Sequence, residues 1–229
     1  MQAQQFAADG QLVIFVGAGV SSIPPTCLPS WWAMNRSVVT ALRDRVAELV
    51  GPTRALMLAE AINTRQEANR FPPEYQAEVI VGRLGQRYYT VLQCLDSDTP
   101  NDVHLGIAAL AKARGIPAVL TTNFDRALEA AFRKLDVPYD VHSHAAQFQT
   151  LADRFRKGGP DGPRPILKLH GSAEDPATLV DTLSQRKRDF PPEVADCVRH
   201  LLRYGHWLFL LMTSALGRGR KFYRILGIE

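Results

Sequence analysis

The sequence predicts an α/β fold, a doubly wound parallel sheet with a helical insertion after the first strand. Three observations predict it. Short, continuous apolar runs ("LVIFV", "PAVLTT", "ILKL" and "HWLFLLM") are bounded by glycine, proline or polar turns, as strands buried on both faces are. Amphipathic helical stretches alternate with the later runs, which is what a parallel sheet with crossover helices requires. Between the first run and the second lies a long segment of helical character with no strand signal.

Taken in order, Leu12 to Val16 reads as a buried strand running into the glycine-rich "GAGVS". From Ser30 the apolar residues Trp31, Met34, Val38, Leu42, Val46 and Leu49 recur at three- and four-residue steps, so an amphipathic helix follows, with Ser30 as its N-cap and Gly51 as its stop. Residues from about 52 to 98 form the helical insert, broken at Pro72 and Pro73. "DVHLGIAALAKARG" is a helix stopped by Gly115, "PAVLTT" a strand, "FDRALEAAFRKL" a helix and "YDVHS" a short strand. "KGGPDGPRP" is an exposed loop, "ILKL" a strand, "PPEVADCVRHLLRYG" a helix and "HWLFLLM" a last strand. With no internal repeat, residues 1–229 are expected to form a single domain that contains the insert.

The net charge of +4 and pI near 9.1 make the chain mildly basic. Its two dense basic runs, "QRKRDF" and "GRGRKFYR", read as solvated faces, so no nucleic-acid partner is expected. Cys27, Cys94 and Cys197 lie far apart without a C-x-x-C pair, which excludes a disulfide framework or a four-cysteine zinc site within the chain. Cys27 is expected to be a buried, uncharged thiol. The "HSH" of His142 to His144 lacks a third ligand, and no metal is assigned. The longest apolar run is far too short to span a bilayer, so no membrane partner is expected and the protein should be soluble and cytoplasmic.

Chemistry-bearing residues follow three of the strands. "GAGVS" lets side-chain-free backbone approach a pyrophosphate, or else forms a tight structural turn. "TTNFD" aims an amide and a carboxylate into a crevice at the carboxyl edge of the sheet, or else caps the next helix. "LKLHGS" places His170 after its own strand, as a core histidine or as a base with a pKa suited to proton transfer. All three motifs should face one cleft. His104 reads as a structural residue of a helix packed behind the sheet.

The ordered set of "GAGVS", "LPSW", "PNDVHLGIAAL", "TTNFD" and "LHGS", spanning Leu12 to Ser172, resembles the sirtuin family, and more closely its bacterial sirtuin-like NAD-hydrolase branch, which acts in anti-phage defence. The resemblance implies a Rossmann-like fold that takes NAD as its substrate. Gly17, Ala18, Gly19 and Ser21 would then hold the phosphates and the adjoining ribose, with Thr122 and Gly171 beside the cofactor. Asn123 would orient the attacking water or the nicotinamide-side ribose, Asp125 would hold the nicotinamide carboxamide, and His170 would be the general base.

The chain departs from protein-deacylating sirtuins by lacking the two C-x-x-C pairs of their zinc module and by carrying "PSWW" where they have Pro-Asp-Phe-Arg. Thr213 and Ser214 fit the family's adenosine-side loop, but Met212 replaces its glycine. The resemblance therefore implies an NAD hydrolase releasing nicotinamide and ADP-ribose. Such an enzyme would be kept quiet until a homo-oligomer or a partner sensor subunit completes its site. The rival expectations are a sensor or scaffold subunit that binds NAD or ADP-ribose without turnover, and an NAD-dependent deacylase or ADP-ribosyltransferase.

Overall fold

A computed structural model describes residues 2–57, 60, 73–158, 162–203 and 206–210. Met212, Thr213, Ser214 and the "GRGRKFYR" run lie outside the described residues. The chain divides into two compact units. The first comprises residues 1–28, 89–180 and 188–229, and the second residues 29–88 and 181–187.

The first unit is built on five strands, Leu12–Val16 (β1), Val119–Thr121 (β2), Tyr139–His142 (β3), Arg164–Lys168 (β4) and His206–Leu210 (β5). Every pairing is parallel and the order across the sheet is β3-β4-β2-β1-β5, the α/β arrangement the apolar runs predict.

Alternation along β1 sends its side chains to two separate cores. On one face Val13 and Phe15 join Leu120 and Leu167 against Ala145–Arg156 (α8) and Pro192–Leu202 (α10). On the other, Leu12, Ile14 and Val16 join Val119 and Ile166 against Asp102–Lys112 (α6) and Ala127–Lys134 (α7). Both faces are covered, so the continuous apolar runs are the ones a doubly wound sheet needs. Gln2–Ala8 (α1) precedes β1, and Ala18–Ser21 (α2) is a single turn directly after it.

The second unit is helical: Trp31–Val50 (α3), Pro73–Leu84 (α4) and Leu183–Lys187 (α9), with Arg87–Leu92 (α5) following α4 in the chain. Ser30 caps α3 as expected, its Oγ accepting the Ala33 N–H at 3.2 Å, and Gly51 ends it at φ +80°. Pro73 opens α4, a position where its missing N–H leaves no helical bond unmade. Met34 and Ala77 are buried, and Glu78 of α4 accepts from both the backbone N–H and the Oγ of Ser184. Among the described residues no helix is long and apolar enough to cross a membrane.

One expectation is corrected here. Cys27 is exposed, not buried. Its φ of +49° and a 3.3 Å bond from its N–H to the Ile23 carbonyl make it a turn residue, and a turn lying at the surface leaves its side chain outside the core.

Candidate active site

The three motif-bearing loops leave neighbouring strands. Val16 pairs with Thr121 and Thr121 with Lys168, so β1, β2 and β4 end at one level and release the Gly17–Ser21 turn, the Thr122–Arg126 loop and the Leu169–Ser172 turn side by side. This is the carboxyl edge where open α/β sheets bind ligands.

Hydrogen bonds weld the loops together. Thr121 Oγ1 donates to Val16 O at 3.0 Å and accepts the Asn123 N–H at 2.9 Å. The Asn123 amide donates to Gly17 O at 3.2 Å and to Ser21 Oγ at 3.1 Å. Ser21 in turn donates to Asp125 Oδ2 at 2.8 Å, and Asp125 Oδ1 accepts the Ala127 N–H at 3.0 Å. Asp125 is therefore both a helix cap and a member of the cluster.

His104 extends the network from behind. Asn101 caps α6, accepting from Val103 N and His104 N, while its own N–H donates to His104 Nδ1 at 3.2 Å. Burial pushes the His104 pKa down to about 4, so the ring is neutral at pH 7 and its remaining proton sits on Nε2. That nitrogen lies 3.4 Å from Ser21 Oγ. Ser21 Oγ thus accepts from Asn123 and His104 and donates to Asp125, which uses its whole hydrogen-bonding capacity. With both amide protons directed inward, Asn123 Oδ1 is a buried acceptor without a hydrogen-bond partner among the described residues. Such an atom is costly unless a ligand or water donates to it.

Gly171 fixes the third loop. Its φ is +85°, and a Cβ added there would lie 2.2 Å from the Thr178 carbonyl oxygen, so only glycine fits. The preceding His170 is half-buried, and its carbonyl accepts the Val180 N–H at 3.0 Å. On the first loop Ala18 is exposed and Gly19 half-buried, so this turn is open to solvent, as is half-buried Thr122. Gly17 is buried, its N–H bonded to Leu210 O at 3.0 Å.

Four buried polar residues escaped the sequence reading as site residues: Asn101, His104, Lys168, whose ammonium donates to Asp125 O, and Glu129, which pairs with Lys168. The first two lie in the quoted "PNDVH" stretch, and His104 both packs in the core and bonds Ser21. Lys168 had a visible signal, a lysine inside an apolar strand. The "HSH" histidines have structural partners: His142 Nε2 lies 3.1 Å from Asp140 and His144 Nε2 3.1 Å from Asp175.

Residues 117–212 match the SIR2-like domain family. The match supports a sirtuin-like family for this chain, and it covers β2, β4, Asn123, Asp125, Lys168 and His170. SIR2-like domains use NAD, and the match points to NAD-related activity. No curated protein matches the chain. The matched loops meet the Gly17–Ser21 turn, which precedes the matched stretch, through Asn123 and Asp125.

Proposed function

We propose that the protein is an NAD hydrolase that cleaves the nicotinamide N-glycosidic bond to give nicotinamide and ADP-ribose. The observation that carries the reading is the Asn123 amide. Its protons are held by Gly17 O and Ser21 Oγ, so its unpartnered Oδ1 is an acceptor suited to a ribose hydroxyl or an attacking water. The residues present fit such a ligand: a solvent-open glycine turn for its phosphates, an oriented acceptor for its ribose, and a half-buried histidine for the proton.

Departure of neutral nicotinamide leaves positive charge on the ribose carbon. Water adds to that carbon, and His170 takes the proton the water loses, so one water is consumed for each nicotinamide and ADP-ribose released. Asn123 supplies orientation. Asp125 has both carboxylate oxygens engaged within the protein, so its contribution to carboxamide binding runs through the lone pairs that remain. The hydrolase is gated by self-association or by a sensor subunit and serves as a defence effector that depletes NAD.

The test is NAD consumption by the purified protein over a wide concentration range, with nicotinamide followed by chromatography. Turnover that falls by about 100-fold or more in both His170→Ala and Asn123→Ala supports the hydrolase. Binding of NAD without turnover at any concentration replaces it with a sensor. Absence of binding overturns the nucleotide reading.

A further inference from the structure

Lys168 is the last residue of β4, and its side chain is 0% exposed. Lysine is almost never fully buried without compensation. Its ammonium reaches four acceptors: Phe124 O at 3.1 Å, Asp125 O at 2.6 Å, Glu129 Oε1 at 2.9 Å and Ser172 Oγ at 3.2 Å. The first two belong to the loop of Asn123, the last to the loop of His170. The Ala173 N–H reinforces the same junction by donating to Phe124 O at 2.9 Å.

A clip between loops needs hydrogen bonds but no charge, and a buried charge is expensive to keep. The hydrogen-bond directions show what the charge does. Because Ser21 Oγ already accepts twice, its own proton needs an acceptor, and an Asp125 Oδ2 that carries no proton offers one, as it always does in the ionised carboxylate. A proton on that oxygen would face the Ser21 proton, release Ser21 and free the Asn123 amide to turn. Several groups act on the Asp125 carboxyl. Burial drives its pKa up, the Ser21 hydroxyl and the Ala127 N–H pull it down, Lys168 pulls it down by charge, and Asp96 pushes it up. Glu129 and Asp125 also repel one another.

We propose that Lys168 is a positioning residue of the site: it joins the loop of Asn123 and Asp125 to the loop of His170, and its ammonium keeps Asp125 the anion that orients Ser21 and Asn123. The ligand in this proposal rests on the NAD reading above, but the charge arrangement does not. Lys168 never touches the substrate; it acts through Asp125.

The experiment follows the Asp125 carboxyl carbon by NMR titration in aspartate-labelled protein, assigned with Asp125→Asn, alongside NAD affinity across pH. Lys168→Met should move the Asp125 midpoint up by about 1 pH unit or more, and Lys168→Arg should return it toward the wild type. Glu129→Gln should move it down, because a repelling charge is removed. The acidic limb of NAD affinity should shift in the same directions. A merely structural clip would weaken affinity equally at every pH with the midpoint unmoved, and that result overturns the proposal. Should Lys168→Met not fold, Glu129→Gln decides alone: a midpoint that stays put or rises sinks the idea. Midpoints that shift as expected in a protein that never binds NAD would uphold the charge arrangement and reject the ligand.

Discussion

The polar groups around Ser21 and those around Asp181 are alike in burial, Ser21 being 2% and Asp181 0% exposed, yet they differ in the hydrogen-bond chains that hold them. In the first set each proton of Ser21, Asn123 and Lys168 has a destination, while the acceptors Asn123 Oδ1 and Glu129 Oε2 find no hydrogen-bond partner among the described residues. In the second unit Tyr88 donates to Asp181 Oδ2 at 2.6 Å, while Asp181 Oδ1 and Glu74 Oε2 find no hydrogen-bond partner among the described residues. Arg186 lies 3.9 Å from Glu74 and stacks 4.2 Å above the Trp31 ring. The chain of donors from Asn123 through Ser21 keeps Asp125 and its neighbours oriented. Burial leaves Asp181, with the single Tyr88 donor, at a pKa raised to about 6.

One member of each cluster, His104 and Asp181, responds to acid in the opposite sense to the other. His104 is depressed from 6.5 to about 4, so between those values the unfolded chain binds the extra proton and stability falls as pH drops. Asp181 is raised from 3.8 to about 6, so in that window the native state binds the extra proton and stability falls as pH rises.

The sharpest way to break the contrast is Gly171→Ala. The added methyl collides with the Thr178 carbonyl at a left-handed backbone position, and a loss on the order of 3–5 kcal/mol is expected in urea unfolding. A loss below 1 kcal/mol would show that the third loop is not held rigidly. Asp181→Asn should act in the other direction. It removes a buried charge and stabilises the protein by about 1–3 kcal/mol at pH 7, the gain fading as pH falls through about 6 and vanishing below about 4. Urea midpoints measured across that range would show a constant or absent gain if Asp181 is not the titrating group. The smallest effect is at the edge of the second unit, where Ser30→Ala deletes the α3 cap and should cost about 1 kcal/mol at any pH. A pH-dependent cost there would mean that the cap is coupled to the acid cluster.

Much of the fold is legible in the sequence. Buried parallel strands announce themselves because both faces are apolar, and Ser30 and Gly51 announce α3 because caps are local chemistry. The helix α8 has no counterpart in the sequence reading, although Phe148, Leu151, Ala152 and Phe155 carry its periodicity. The convergence of three motifs was legible because each directly follows an apolar strand, whereas the strand order that makes them neighbours was not. The directions of the hydrogen bonds were not: the roles of Lys168 and His104 depend on partners that the sequence gives no reason to join, such as Glu129, Ser172 and Ser21. A lysine in a strand says only that something must neutralise it.

The bonds that make the site are long-range: Ser21 to His104 spans 83 residues, Ser21 to Asp125 spans 104, and Asn123 to Gly17 spans 106. Contacts of such separation form late, after the chain has paid the loop-closure entropy, and domains fold as units during synthesis. A ribosome that has released the Gly17–Ser21 turn has released no acceptor, no anion and no base. Those arrive with the second and fourth strands, and the Lys168 clip closes only once β4 is in the sheet. For a protein proposed to destroy a metabolite its own cell requires, the nascent chain is harmless until the fold is nearly complete.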